Sequence, residues 1–309
     1  MSRCQLVLNG TIAENLTDPE PMPAVTMMEA PGCGVKPNRY YTVQEAVNMH
    51  GTRYSVYPEV PAPISEPLKQ MLWIKQIPAA RVVHPSTALR QLNDNEFKGA
   101  NVVALVANTS QSSWPVLWHE DERPRSSWVE QVELVERLGS KNGTPSLIPS
   151  DPAQHAIMIG MIHLIMGESE FFWMRRIEFT SERNSRSMLN KYSFSDEEHL
   201  AHKRVAEILN YFDAVLKVQN DAGSQYLVGQ SLTAADVYWA LASMIVIKPQ
   251  KDLIADDHVN PYKETLATPN QFLDIFQGSS VKKYNSMITQ RLRDHQDYII
   301  RRYCNTPLK

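Results

Sequence analysis

The segment that most constrains the fold is GQSLTAADVYWAL, Gly229 to Leu241. Thr233 and Asp236 stand three apart, so the threonine hydroxyl can accept from the Asp236 N–H while the carboxylate reaches back to the Thr233 N–H. Leu232 and Val237 flank this box with the spacing of a hydrophobic staple. Beyond Asp236 the run VYWAL carries no charge. A helix that is apolar on every side has to be enclosed by other elements. A capped, buried helix is therefore expected at the centre of an all-helical C-terminal half, and Thr233 and Asp236 have a structural role.

Further starts of the same kind surround it. Asp151 with Pro152 and Gln154, Ser195 with Glu198, and Thr268 with Pro269 and Gln271 each read as the opening of a helix. Such caps satisfy orphan backbone N–H groups and contribute about 1 kcal/mol each. The first of these helices is expected to run from Asp151 to about Asn184. Upstream the periodicity is different. RYSVY from Arg53 reads as a strand, Glu66 to Gln76 as a helix, Ala80 to His84 as a strand, Ser86 to Phe97 as a helix, Asn101 to Ala107 and Pro115 to His119 as strands, and Ser126 to Leu138 as a helix. Residues 1–50 are rich in proline and hold one short helix signal, Thr42 with Glu45. The expected organisation is an extension over 1–50, an α/β domain over 51–140, a linker over 141–150, and an all-α domain with a tail over 151–309.

Composition narrows the function classes. The 309 residues are 43% hydrophobic and 21% charged, as in a globular protein, and the net charge of -3 offers no basic footprint for nucleic acid. Cys4, Cys33 and Cys304 match neither a disulfide framework nor a zinc site, so no metal is expected. The N-terminus lacks a basic signal-peptide start, and no run approaches the roughly 18 apolar residues of a membrane span. These features point to a cytoplasmic protein without a membrane span, with organelle import by other means left open. None of the patterns GxGxxG, Walker A, HExxH or GxSxG occurs.

Tyr226-Leu-Val-Gly229 followed by Thr-x-Ala-Asp, late in a helical region behind a β-α-β unit, resembles the capping-box helix of the glutathione transferases. The α/β half resembles that family's thioredoxin-like, glutathione-binding domain. In ISEPLKQMLWIKQIP, Ile64 to Pro78, the resemblance is to the theta class and makes Ser65 the catalytic residue that hydrogen-bonds the glutathione sulfur. A thiol of ordinary pKa near 8.5 is mostly protonated at neutral pH, and a hydroxyl at a helix start favours the thiolate. Trp114-Pro115 resembles the family's cis-proline, whose preceding backbone pairs with the cysteinyl unit of glutathione. Ser126 and Ser127 stand where the family opens its third helix on the γ-glutamyl carboxylate, with Ser126 replacing an acidic or amide partner.

Trp173 and Arg176 are the residues offered for the electrophile pocket. The resemblance implies glutathione as co-substrate, a small hydrophobic electrophile as its partner, conjugation or reduction as the reaction, and a homodimer. Ser126, Trp114 and the long additions at both ends favour an alternative: a non-catalytic structural or adaptor subunit whose leader and tail hold partner proteins.

Overall fold

A computed structural model describes residues 39–57, 60–83, 103–110, 114–182, 198–255, 268–274, 276 and 279–308. Strand β2 (Thr52–Val56) is the spine of the α/β half. Helix α2 (Glu66–Ile74) lies in the crossover from β2 to β3 (Ala79–Val83), and the two strands run parallel. On its other side β2 pairs antiparallel with β4 (Leu117–His119). An edge strand, β1 (Tyr40–Tyr41), adds in parallel to β3, so the sheet order is β1-β3-β2-β4. A parallel β-α-β unit followed by an antiparallel strand and a helix is the thioredoxin-like arrangement.

All five residues of β2 are buried, because both faces of the sheet are covered. Tyr54 and Val56 meet Leu68, Met71 and Leu72 of α2 in the main core. A second core, of Val43, Ala46, Val82, Leu105, Val116 and Trp118, fills the opposite face. Two of its members lie on helix α1 (Val43–Val47), which opens on the expected box: Glu45 N–H donates to the Thr42 hydroxyl at 3.1 Å and Thr42 N–H to the Glu45 carboxylate at 2.8 Å. Residues 40–47, read from sequence as part of the extension, thus complete the sheet and its outer layer.

The strand expected over 101–107 is a helix, α3, over 103–109. Its apolar run is too short for periodicity to decide between the two. Burial decides it: a strand would turn Val103 and Leu105 to the same face, whereas Leu105 is fully buried and Val103 is 68% exposed. Trp118 Nε1 donates to Asn108 Oδ1 at 2.8 Å and fastens this helix to β4. The expected helix over 86–97 and the Ser195 cap lie outside the described residues.

After α4 (Trp128–Gly139) the chain is helical: α5 (Pro152–Met166), α6 (Phe171–Glu182), α7 (Glu198–Asp221), α8 (Ala234–Ala242), α9 (Pro269–Asp274) and α10 (Gln290–Tyr303). The single helix expected from Asp151 to Asn184 is two. The break falls at Gly167, where a Cβ would lie 2.6 Å from the His163 ring and 2.7 Å from its carbonyl oxygen. An 18-residue window within residues 152–181 has the hydropathy of a membrane span, but half of that window is buried inside the protein. The Asp151 and Thr268 caps form, with Gln154 N–H to Asp151 Oδ1 at 2.8 Å and Thr268 N–H to Gln271 Oε1 at 2.9 Å.

Helix α8 is the hub, packed against α2, α5 and α10. No residue in it is more than 2% exposed. Its Trp239 ring stacks on Phe212 of α7 at 4.1 Å and meets Phe171 of α6 at 5.1 Å. From the end of α10 the tail returns to the core: Leu308 N–H donates to the Leu253 carbonyl at 2.7 Å, and Ala255 N–H to the Leu308 carbonyl at 3.0 Å. Cys304 is buried at the turn into this tail, and burial, with the Glu66 carboxylate nearby, pushes its thiol far up from the ordinary range. In a Cys4→Ser, Cys33→Ser background, Cys304 is expected to resist a disulfide reagent at mildly alkaline pH and to react at once in denaturant. Rapid labelling of the native protein would contradict this placement.

Candidate functional site

The centre of the candidate site is the peptide between Trp114 and Pro115, which is cis. Two residues, Ser55 and Gln131, brace its surroundings. Ser55, in β2, donates its N–H to the Val116 carbonyl at 2.9 Å and accepts the Val116 N–H on its hydroxyl at 2.8 Å. Gln131, 1% exposed on the inner face of α4, donates from Nε2 to the Pro115 carbonyl at 2.8 Å and to the Arg125 carbonyl at 3.0 Å. Buried amides keep such bonds because leaving the group unpaired costs about 1–3 kcal/mol. Gln131 was not singled out from sequence, although an amide three residues after Trp128, on the stripe with Val132 and Val135, was the signal to look for.

Trp114 turns its ring edge-on to Tyr57 at 4.3 Å, and Tyr57 in turn lies 5.8 Å from Phe272 of α9. These three aromatics form a cap beyond the C-terminal end of β2. Across from it, α4 begins at Ser127, whose backbone is extended (φ -82, ψ 136) and whose side chain makes no capping bond to the helix. Ser127 is exposed and Ser126 is half-buried. The strand-to-helix loop before them is braced by Glu122. The hydrogen bond from Arg137, at 2.6 Å, holds the Glu122 carboxyl below its ordinary range, and Arg125 adds a second contact at 2.8 Å.

Ser65 occupies the position before α2 but is placed differently from an exposed helix-opening serine. Its backbone is already right-handed (φ -104, ψ -17), and it makes no side-chain capping bond. The N–H groups of Ser65 and Glu66 both donate to the Ala62 carbonyl, at 3.0 and 2.9 Å, so the first turn opens at Ala62. The Ser65 hydroxyl is 0% exposed and lies 3.5 Å from that same carbonyl. Glu66 and Gln70, one turn on, are also fully buried. The C-terminal tail covers this turn: Asn305 N–H donates to Gln70 Oε1 at 2.8 Å.

The two residues offered for an electrophile pocket interact with each other on α6. The Arg176 guanidinium lies 5.5 Å over the Trp173 ring, and Trp173 Nε1 donates to the Met166 carbonyl at 3.1 Å. The Thr233–Asp236 box forms as expected. Asp236 Oδ2 accepts from the Thr233 N–H and hydroxyl, each at 2.8 Å, and Oδ1 accepts from Leu227 N–H at 2.7 Å and His295 Nε2 at 3.0 Å.

Residues 184–272 match the family model of the glutathione S-transferase C-terminal domain. This stretch of the helical half is thus similar to that domain, as the resemblance around Thr233 implied. Solved structures are similar only at low identity. A glutathione S-transferase from Methylobacillus flagellatus with glutathione bound is 14% identical, with a TM-score of 0.47, over 80% of this chain and 99% of that one. Ure2p in complex with glutathione is 13% identical, with a TM-score of 0.47, over 76% and 97%. A glutathione transferase homologue from Sulfitobacter with bound glutathione is 17% identical, with a TM-score of 0.45, over 77% and 98%. A search of curated proteins gave no match.

Proposed function

We propose that this chain is a non-catalytic glutathione-transferase-like protein, a structural or adaptor subunit rather than a conjugating enzyme. The observation that carries this reading is the Ser65 hydroxyl, fully buried and turned to the Ala62 carbonyl. Thiolate stabilisation requires a donor facing the sulfur, and the residue that opens the first turn is an alanine, with no hydroxyl to offer. Ser126, in place of an acidic side chain, removes a partner for the substrate's amino group. The tail residue Leu308 is fully buried on its own chain, which shifts the expected partner contacts to the N-terminal extension.

A second reading, a cytoplasmic homodimeric transferase acting on a small electrophile, is favoured by one feature. The start of α4 at Ser127, where no side chain caps the helix, leaves backbone N–H groups that would receive a glutathione carboxylate. The test is conjugation of glutathione to 1-chloro-2,4-dinitrobenzene by the full chain. No rate above the uncatalysed reaction, and no change with Ser65→Ala, is the expected result. A wild-type rate that falls about tenfold or more in Ser65→Ala, a loss of about 1.4 kcal/mol of transition-state stabilisation, would establish the enzyme instead. Retention on immobilised glutathione without turnover agrees with the non-catalytic reading. Migration as a lone dimer in native extracts counts against an adaptor role.

A further inference from the structure

A run of aromatic rings crosses from the α/β half to the helical half beside the cis peptide. Trp114 and Tyr57 belong to the α/β half, with ring centroids 4.3 Å apart. Phe272 of α9 stands 5.8 Å from Tyr57 and 5.5 Å from Phe276, and Phe276 stands 5.2 Å from Phe179 of α6. We propose, resting on the glutathione-transferase-like reading above, that Phe272 is a built-in plug: it closes the mouth of the Trp114-Pro115 cleft against a thiol tripeptide of the glutathione class.

The base of the plug is fixed to the helical half. Leu273, the next residue, is fully buried. Lys248 Nζ reaches Asp274 Oδ1 at 2.5 Å, and the buried Arg175 donates from Nη2 to the Phe276 carbonyl at 2.7 Å. The lysine pair is partly exposed and adds little, whereas the bond from a buried guanidinium is costly to lose. Phe272 itself is only half-buried. Its position between a fixed base and the two rings of the other half is that of an arm laid across a gap.

Tyr57 directly follows Val56, the last residue of β2, and Trp114 directly precedes the cis proline. The rings that Phe272 closes over therefore stand on the backbone that would frame the cysteinyl unit of a tripeptide. Phe272 has no polar side-chain atom, so lifting its ring off Tyr57 breaks no side-chain hydrogen bond and costs only the apolar contact. A contact of this kind favours the closed position over the open one by about tenfold. A ligand admitted by the open position alone then binds about tenfold more weakly than the cleft itself would allow.

The test is calorimetric titration of the full chain with reduced glutathione, in the wild type, Phe272→Ala and Phe272→Leu. The expected result is a dissociation constant about tenfold lower for Phe272→Ala than for the wild type, with Phe272→Leu between them. Circular dichroism checks that each variant is folded. The wild type supplies a readout that needs no variant: a nuclear Overhauser contact between the Tyr57 and Phe272 rings is expected in the free protein and is lost at saturating glutathione. Persistence of that contact in the saturated protein, equal or weaker binding by a folded variant, or no binding by any of the proteins would overturn the proposal. Conjugation of 1-chloro-2,4-dinitrobenzene in the same samples keeps the two readings apart. Turnover that disappears in Ser65→Ala would sink the non-catalytic reading and leave the plug standing. Unaltered glutathione affinity in Phe272→Ala would sink the plug and leave the non-catalytic reading in place.

Discussion

Asp236→Ala is expected to lower the unfolding free energy by about 4 kcal/mol or more, the larger of two effects singled out by the structure. The carboxylate is 0% exposed and receives the Leu227 N–H, the Thr233 N–H, the Thr233 hydroxyl and His295 Nε2, all within 3.0 Å. Truncation strands those donors in the core, and each stranded buried donor costs about 1–3 kcal/mol, though the costs do not add in full. Asp236 also joins three separated segments, the 227 loop, the start of α8 and the middle of α10. Against a typical total of about 5–15 kcal/mol, the loss is large. Asp236→Asn keeps one carbonyl acceptor and is expected to lose about half as much. Urea unfolding followed by circular dichroism measures both. A midpoint shift equivalent to less than about 1 kcal/mol for the alanine variant would show that the network does not hold α8.

The same residue shows how far the sequence could be read. The Thr233–Asp236 spacing is a local signal, as are Thr42–Glu45, Asp151–Gln154 and Thr268–Gln271, and all four form where expected. Such caps involve residues within one turn, so spacing alone encodes them. His295, the partner 59 residues away, carries no such local mark. The failures have the same cause. The short run around Leu105 was undecidable until the faces of the sheet were known, and the turn to extended backbone at Gly167 (φ -65, ψ 160) leaves no mark in the hydropathy of this stretch. The helix that follows Ser65 is met by Asn305, whose N–H donates to Gln70 from 235 residues away. A serine followed by a proline-containing helix therefore reads as an exposed cap, although the folded chain encloses it.

Glu136→Ala tests how the two domains are joined, with an expected loss of about 3 kcal/mol. The Lys75 side chain is 0% exposed at the end of α2, and its Nζ donates to Glu136 Oε1 of α4 at 3.0 Å and to the Pro145 carbonyl of the linker at 2.9 Å. Glu136 Oε2 accepts the Leu147 N–H at 2.9 Å, and the Leu147 carbonyl accepts the Ala234 N–H at 2.8 Å, which carries the chain of bonds to α8. Gly139 is required by this packing, since a Cβ there would sit 2.4 Å from Lys75 Cε. Removing the carboxylate leaves an enclosed ammonium with one carbonyl, and such uncompensated charges cost about 3–5 kcal/mol. Glu136 is 19% exposed, so water reaches its side of the pair and the lower end of that range applies. The attraction itself contributes little once desolvation is counted, and an apolar pair of similar volume can replace it. Lys75→Met combined with Glu136→Leu is therefore expected to recover most of the loss, with a coupling energy of about 2 kcal/mol in a double-mutant cycle. A double variant no more stable than Glu136→Ala alone would show that the hydrogen bonds to the linker, rather than the balance of buried charge, hold the domains together.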